Sequence, residues 1–161
     1  MSAIDTAWLR TDRPTNPMVI AGVLLTEGRV NFERYKQVME THFLAHPRFR
    51  ERVAFDRDSA YWEPDPDFDL SFHVRRAALP RPGGRKELYE LLGDLMSSPL
   101  DRARPLWQFQ LVERYGDGSA IVARIHHCYA DGVMLMKVLR SITTDARGVP
   151  AAGGGPSRAK G

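Results

Sequence analysis

Two adjacent histidines near the end of the chain, His126 and His127, are the residues best suited to proton transfer. They begin the heptad HHCYADG, which ends with Asp131 and Gly132. An imidazole with its ordinary pKa of about 6.5 is mostly neutral near pH 7 and can accept a proton. A carboxylate four residues after the second histidine could fix a tautomer, or lock the turn by pairing with an arginine. The heptad therefore indicates general acid–base chemistry.

The segments on either side of the heptad predict a strand followed by a helix. Residues 119–125 are apolar apart from Arg124, as expected of a buried strand. Residues 133–142 repeat leucine, methionine and isoleucine along one helical face. Asp131 suits the N-cap of that helix, and Gly132 leaves room in its first turn. The two imidazoles are therefore expected at a strand-to-helix turn.

Strand alternation separates the two imidazoles. His127 shares a face with Ile125 and Ala123, whereas His126 shares the opposite face with Arg124. Only one ring can therefore enter a given cavity, and the other must be held by structure. For an isolated pair of histidines, packing is the commoner explanation, but the full HHxxxDG pattern at the end of a strand favours catalysis.

Composition indicates one compact domain in a reducing compartment. The 161 residues are enough to bury a core, and the 43% hydrophobic and 27% charged fractions are ordinary. No apolar run approaches the roughly 20 residues that span a bilayer, and no secretory signal is evident at the N-terminus. The lone cysteine, Cys128, excludes an internal disulfide, and chemistry that uses a general base does not need it as a nucleophile. We therefore expect a cytoplasmic protein.

The basic residues give no nucleic-acid site and no metal site. The formal charge of +3 is carried by scattered arginines rather than by a continuous stripe. This charge favours weak attraction to anionic lipid headgroups or to other phosphate groups, and hence peripheral contact with the inner membrane surface or lipid droplets. His42 and His46 have the spacing of a helical metal pair, but no third ligand accompanies them.

The rest of the chain predicts alternating strands and helices. The segment from Ile4 to Arg13 is expected to contain a turn. The predicted strands are Met18–Thr26 (apolar on both faces and so central), a hairpin of Arg52–Phe55 with Tyr61–Glu63, Leu70–Arg75, and a strand that opens at Pro105 and pairs with the active-site strand. The predicted helices are Phe32 to about Ala45, capped by Asn31, and Lys86–Met96.

The heptad resembles the active-site motif of the CoA-dependent acyltransferase superfamily, which includes chloramphenicol acetyltransferase, plant alcohol acyltransferases and peptide-synthetase condensation domains. Other stretches resemble the bacterial wax ester synthase/diacylglycerol acyltransferase branch of that superfamily. These stretches are IDTAWL, NPMVIAGVLL, AHPRFRERV, YWEPDPDFDLSFHVRRAALPRPGG and SSPLDRARPLWQFQLVE. The resemblance extends from Ile4 to about Asp145.

The resemblance implies an α/β fold. We expect the N-terminal half of a chloramphenicol-acetyltransferase-like two-lobed fold, with a mixed sheet flanked by helices. Residues 1–147 would form this lobe, and the glycine-rich residues 148–161 would be a flexible linker to a C-terminal lobe that is missing from the sequence. The isolated half is expected to be inactive.

The resemblance also implies a reaction. A fatty acyl group would pass from acyl-CoA, a co-substrate, to an alcohol: diacylglycerol to give triacylglycerol, or a long-chain fatty alcohol to give wax ester. No other cofactor and no metal is expected. His127 would be the general base and His126 its structural support, with Asp131 holding the turn and Gly132 assisting a developing oxyanion. Two alternatives stay open: a non-catalytic lipid- or acyl-CoA-binding fragment, and an acyltransferase of the same fold with a sugar or amine acceptor.

Other prominent side chains are predicted to be structural. The predicted packing residues are Trp62, Phe68, His73, Leu106 and Trp107. Asp101 is predicted to pair with Arg102 or Arg104.

Overall fold

The computed structural model describes residues 1–57 and 59–129. In chain order its elements are helix α1 (Ala3–Thr11), strand β1 (Val19–Thr26), helix α2 (Phe32–Val38) continued by a π-helical turn (Met39–Phe43), a 3-10 turn (Pro47–Arg50), strands β2 (Glu51–Asp56) and β3 (Ser59–Pro64), helix α3 (Leu70–His73), strand β4 (Val74–Ala77), helix α4 (Arg85–Ser97), strands β5 (Trp107–Tyr115) and β6 (Gly118–His126), and a 3-10 turn (His127–Tyr129).

Four of these strands form one mixed sheet in the order β1-β6-β5-β4, and β2 and β3 form a separate hairpin. The pairs β1–β6 and β5–β6 are antiparallel, whereas β4 and β5 are parallel. Helices accompany this sheet, so the predicted α/β fold with a mixed sheet flanked by helices is confirmed. No helix of the described residues is long and apolar enough to cross a bilayer.

Strand β6 is buried on both faces because each face meets a different apolar cluster. On one face its odd-numbered side chains join those of β5 and the π-helical segment in the main core, which contains Ile121, Ala123, Ile125, Trp107, Phe109, Leu111, Met39 and Phe43. On the other face Val122 packs with Val112 and with Leu88 of α4. The period of two predicted for β5 and β6 is therefore confirmed.

Several local predictions agree with the structure. The Asn31 side chain accepts a hydrogen bond from the Arg34 backbone N–H and caps α2 as expected. Helix α4 covers the predicted helical segment, and the β2–β3 and β5–β6 hairpins form where turns were expected.

The prediction that the first strand is central is wrong. Strand β1 has β6 as its one partner among the described strands, and Leu25 on it is 61% exposed. Both faces of a strand can be covered by elements that pack above and below the sheet. The strand does not need a neighbouring strand on each side for this. Ile20 and Leu24 pack on the main core while Val23 packs on the smaller cluster, which explains the apolar run at an edge.

Two further assignments need correction. The segment expected to contain a turn near the N-terminus is helix α1, because Ser2 and Asp5 form a capping box: each side chain accepts a hydrogen bond from the other residue's backbone N–H. The strand expected over Leu70–Arg75 begins instead as the short helix α3. Asp69 accepts a hydrogen bond from the Ser71 backbone N–H, which favours a helical turn before the chain extends.

The first residue of β6 packs closely against the end of β1. A Cβ atom built on Gly118 would lie 1.7 Å from the backbone oxygen of Thr26, so only glycine fits there. The next residue, Ser119, accepts a hydrogen bond from the Val30 backbone N–H and donates one to the Glu113 oxygen. These contacts fix the point at which β6 enters the sheet.

Candidate active site

The C-terminal end of β6 is held in place from both sides. The backbone N–H of His126 donates to the Leu106 oxygen at 3.0 Å, and that of His127 donates to the Met18 oxygen at 2.9 Å. The strand ends at His126, and a 3-10 turn begins at His127. The two imidazoles therefore leave a backbone whose position is determined by neighbouring segments.

His126 is almost completely buried, with 2% of its surface exposed. Its Nδ1 accepts a hydrogen bond from the Cys128 backbone N–H at 3.1 Å. Because Nδ1 is the acceptor, the neutral ring carries its hydrogen on Nε2. Nε2 lies 3.6 Å from Oδ2 of Asp12. Burial lowers the pKa of His126, and the opposing attraction of Asp12 does not restore it. The ring is therefore a neutral structural support of the turn that contains His127.

Asp12, at the end of α1, connects three separate segments. Its Oδ1 accepts a hydrogen bond from the Met18 backbone N–H at 2.9 Å, and its Oδ2 pairs with the Arg102 guanidinium at 2.7 Å. Burial alone would raise the pKa of Asp12, but the hydrogen bonds from Met18 and Arg102 outweigh it and lower that pKa. The ionised carboxylate is therefore favoured beside His126. The sequence interpretation did not include Asp12, because its partners are distant in the chain.

His127 has a different environment from its neighbour. The side chain is partly exposed, and its ring stacks on the indole of Trp8, with 4.6 Å between centroids and 22° between planes. Within the part of the chain that the structure describes, no hydrogen bond to this ring is observed. Neither imidazole nitrogen of His127 is therefore occupied by a hydrogen bond from the described residues.

A cleft of about 460 Å³ opens beside His126, between the α1–β1 connection and the segment after α4. Its lining combines the Asp12–Arg102 pair with apolar side chains; the residues are Asp12, Arg13, Pro14, Pro17, Val19, Met96, Ser97, Ser98, Pro99, Leu100, Arg102, Leu106 and His126. This cleft borders the buried histidine and not His127. That His127 faces a substrate channel therefore stays a prediction.

The remaining members of the heptad within the described residues are structural. Cys128 is buried, and burial raises the pKa of its thiol, which disfavours the thiolate that a nucleophilic cysteine requires. The Tyr129 hydroxyl donates to the Glu51 oxygen at 2.6 Å, and its ring packs on Trp62. Asp131 and Gly132 lie outside the described residues, as does the expected boundary between residues 147 and 148.

The packing roles predicted for the segment PLDRARPLW agree with the structure. Leu106 and Trp107 are buried, and the indole of Trp107 donates to the Phe49 oxygen at 2.9 Å. His73 stacks on Trp107 and its Nδ1 lies 2.8 Å from the Trp107 oxygen. Asp101 lies 3.9 Å from Arg104, whereas Arg102 pairs with Asp12 instead.

Arg124 is a buried charge on the same face of β6 as His126. Its guanidinium donates to the Ser98 oxygen, which joins β6 to the end of α4. Burial lowers the pKa of this guanidinium. In residues 1–57 and 59–129, no group of three or more histidine, cysteine, aspartate or glutamate side chains is arranged to hold a metal ion.

Sequence comparisons relate almost the whole chain to one enzyme family. The family model described as the wax ester synthase/diacylglycerol acyltransferase catalytic domain matches residues 1–159. A probable diacylglycerol O-acyltransferase of Mycobacterium tuberculosis is 44% identical over 103 residues, which are 62% of this chain and 22% of that protein. A putative one from the same organism is 33% identical over 159 residues, covering 91% of this chain and 32% of that protein. A further probable one is 32% identical over 159 residues, covering 94% and 58%. The chain thus spans between 22% and 58% of the length of these curated relatives.

Solved structures share the fold. The wax ester synthase/diacylglycerol acyltransferase from Marinobacter aquaeolei VT8 superposes with a TM-score of 0.69 and 24% identity, over 87% of this chain and 37% of that one. The starter condensation domain of rhizomide synthetase gives a TM-score of 0.72 with 16% identity, over 88% and 36%. A variant of that condensation domain has been solved in complex with C8-CoA and Leu-SNAC.

Proposed function

Since the chain belongs to the wax ester synthase/diacylglycerol acyltransferase family, we propose that it forms the N-terminal lobe of an O-acyltransferase. The reaction moves a fatty acyl group from acyl-CoA to an alcohol. Diacylglycerol as acceptor gives triacylglycerol, and a long-chain fatty alcohol gives wax ester. The relatives named as diacylglycerol O-acyltransferases, and the condensation domain solved with C8-CoA, support these substrate classes.

In this proposal His127 is the general base. It takes the proton of the acceptor hydroxyl as that oxygen attacks the thioester carbonyl. The carbon–sulfur bond then breaks, and CoA leaves as its thiol after receiving a proton. Positioning of the two reactants and proton removal together supply several powers of ten in rate. The buried thiol of Cys128 agrees with direct transfer, without a covalent acyl-enzyme.

His126 supports the base through the backbone. By accepting the Cys128 N–H, its ring closes the turn that begins at His127. The Asp12 carboxylate, fixed by Arg102, lies on the Nε2 side of that ring. We assign Asp131 to holding the same turn by pairing with an arginine, and Gly132 to the start of a helix whose positive end assists the developing oxyanion.

The contrast between the two imidazoles carries this proposal: His126 is buried and hydrogen-bonded, whereas His127 is partly exposed and its nitrogens accept no hydrogen bond from the described residues. A proton acceptor needs an available lone pair near substrate. Of the two rings, only that of His127 has both nitrogens left available by the described residues, and its nearness to substrate is part of the proposal.

The test is an acyl-transfer assay on the complete protein that contains this chain. Acyl-CoA is supplied with either a diacylglycerol or a long-chain fatty alcohol, and labelled ester is extracted and separated. Ester from either acceptor supports the proposal, and their ratio defines the acceptor class. The 161-residue chain alone is expected to give none, because we propose that a second lobe completes the substrate channel. Binding of acyl-CoA by the complete protein without any ester would favour a non-catalytic lipid-binding role. Transfer to a sugar or amine alone would reject the lipid acceptors.

A further inference from the structure

The indole of Trp8 lies against the imidazole of His127. The two rings are nearly parallel, with centroids 4.6 Å apart and an angle of 22° between their planes. Trp8 is 37% exposed, so the tryptophan is not simply a member of the core. Leu9, the next residue of α1, is the buried residue of that helix. Helix α1 thus packs through Leu9 while it presents Trp8 to the candidate base.

The backbone of His127 is fixed, but its backbone contacts do not fix the ring. The N–H donates to the Met18 oxygen, which sets where the side chain begins. Rotation of an imidazole about its last side-chain bond has broad minima, so the ring plane needs another support. His126 obtains that support from the Cys128 N–H. For His127, stacking on Trp8 is the ring contact observed among the described residues.

Helix α1 is well suited to serve as a rigid support. The capping box of Ser2 and Asp5 closes its N-terminus. At its other end Asp12 is fixed by the Met18 backbone N–H and by Arg102. The same Met18 that receives the His127 N–H is therefore also bound to the residue that ends α1. Through these contacts Met18 connects the backbone of His127 to the end of the helix that carries Trp8. The indole and the imidazole are therefore held in a fixed relative position.

We propose that Trp8 is a positioning residue for His127. Its indole face holds the imidazole plane, so that the proton-accepting nitrogen stays directed at the acceptor hydroxyl. This role rests on the proposed function of His127 as the base. One stacked pair of partly exposed rings contributes little to the stability of a whole domain, so its loss should leave the fold intact. A misplacement of reacting groups by about 1 Å can cost on the order of a hundredfold in rate.

The experiment compares three substitutions of Trp8 in the complete enzyme. Trp8→Phe keeps an aromatic face, Trp8→Leu keeps an apolar side chain without one, and Trp8→Ala removes both. We expect kcat to fall on the order of a hundredfold in Trp8→Ala and Trp8→Leu, with KM for acyl-CoA little changed, and to recover most of its value in Trp8→Phe. Tyr89→Ala, which removes an exposed aromatic ring from α4, is the matched control and should keep the wild-type kcat.

A second readout does not depend on turnover. In the same variants, nuclear magnetic resonance measures the chemical shifts of the His127 ring C–H protons. The ring current of the stacked indole displaces these shifts. Substitution by alanine or leucine should move them toward free-histidine positions, whereas phenylalanine should keep part of the displacement. Equal kcat in Trp8→Leu and Trp8→Phe, or unchanged His127 resonances in Trp8→Ala, would overturn the inference. A turnover unaffected by His127→Ala would instead reject the general base itself, so the two failures are distinguishable.

Discussion

His126 and His127 are neighbours in sequence, yet the protein holds their rings by opposite means. The first ring is buried and fixed by hydrogen-bonding groups, the Cys128 N–H on one nitrogen and the Asp12 carboxylate near the other. The second is partly exposed and fixed by an aromatic face. A hydrogen bond occupies a nitrogen, whereas stacking leaves both nitrogens available. Stacking can therefore immobilise an imidazole while both of its nitrogens stay available for proton transfer.

This difference follows from the point at which β6 ends. His126 is the last residue of the strand and shares a face with Arg124, whereas His127 is the first residue of the 3-10 turn that follows. The two rings therefore lie in different environments although no residue separates them in the sequence.

Removal of the proposed base should give the largest effect. His127→Ala in the complete enzyme is expected to lower kcat by two to four powers of ten, roughly the contribution of a general base. The free energy of unfolding should fall by only about 1 kcal/mol, the worth of one aromatic stack. Steady-state acyl transfer and urea unfolding measure the two quantities. Wild-type turnover in a folded variant would contradict the assignment of His127.

Removal of the supporting ring should lower stability and activity together. His126→Ala leaves the buried Cys128 N–H without its acceptor, which we expect to cost about 2 kcal/mol of unfolding free energy. His126→Asn offers a side-chain oxygen at a similar position and should recover part of both losses. Urea unfolding measures the loss of stability in both variants, and steady-state acyl transfer measures the loss of kcat. A fully active, wild-type-stable His126→Ala would show that the turn does not need this ring.

Removal of the Asp12 carboxylate, which lies beside the ring of His126, should give a smaller effect. Asp12→Ala removes the acceptor of the Met18 N–H and the partner of Arg102, and we expect a loss of about 1 kcal/mol. Asp12→Asn retains the oxygen that accepts from Met18 and should lose less. Thermal unfolding of the two variants checks the order. If Asn were as destabilising as Ala, the backbone hydrogen bond would not be the important contact.

The smallest expected effect is a pH dependence of stability. Burial lowers the pKa of both His126 and His73 in the folded protein, so below an unfolded pKa of about 6.5 the unfolded chain binds more protons than the folded one. Stability should therefore be fully present above pH 6.5 and decline as the pH falls below it. Urea midpoints at pH 7.5 and 5.5 measure this decline. It should be shallower in His126→Asn, and an unchanged slope would show that His126 does not contribute.

Local patterns predicted the elements of the site better than its contacts. The alternation of β5 and β6 and the Asn31 cap follow from neighbouring residues, and they agree with the structure. Asp12 and Arg102 are 90 residues apart in the sequence and Trp8 and His127 are 119 apart (127 − 8), so no local periodicity indicates either contact. Helix α1 was missed for a different reason. Its capping box, Ser2 and Asp5, is present in the sequence, but Pro14 and Pro17 shortly after it interrupt a helix and favoured the prediction of a turn.

Gly118, at the far end of β6 from the histidines, has a consequence for the chemistry. Because no side chain fits between it and the Thr26 carbonyl, the strand cannot slide by one residue along β1 without forcing a β-carbon into that space. Such a slip would exchange the two sides of β6 and offer the other imidazole to substrate. In the proposed mechanism, the lack of a side chain at Gly118 therefore helps to determine which imidazole reaches substrate, from the opposite end of the strand.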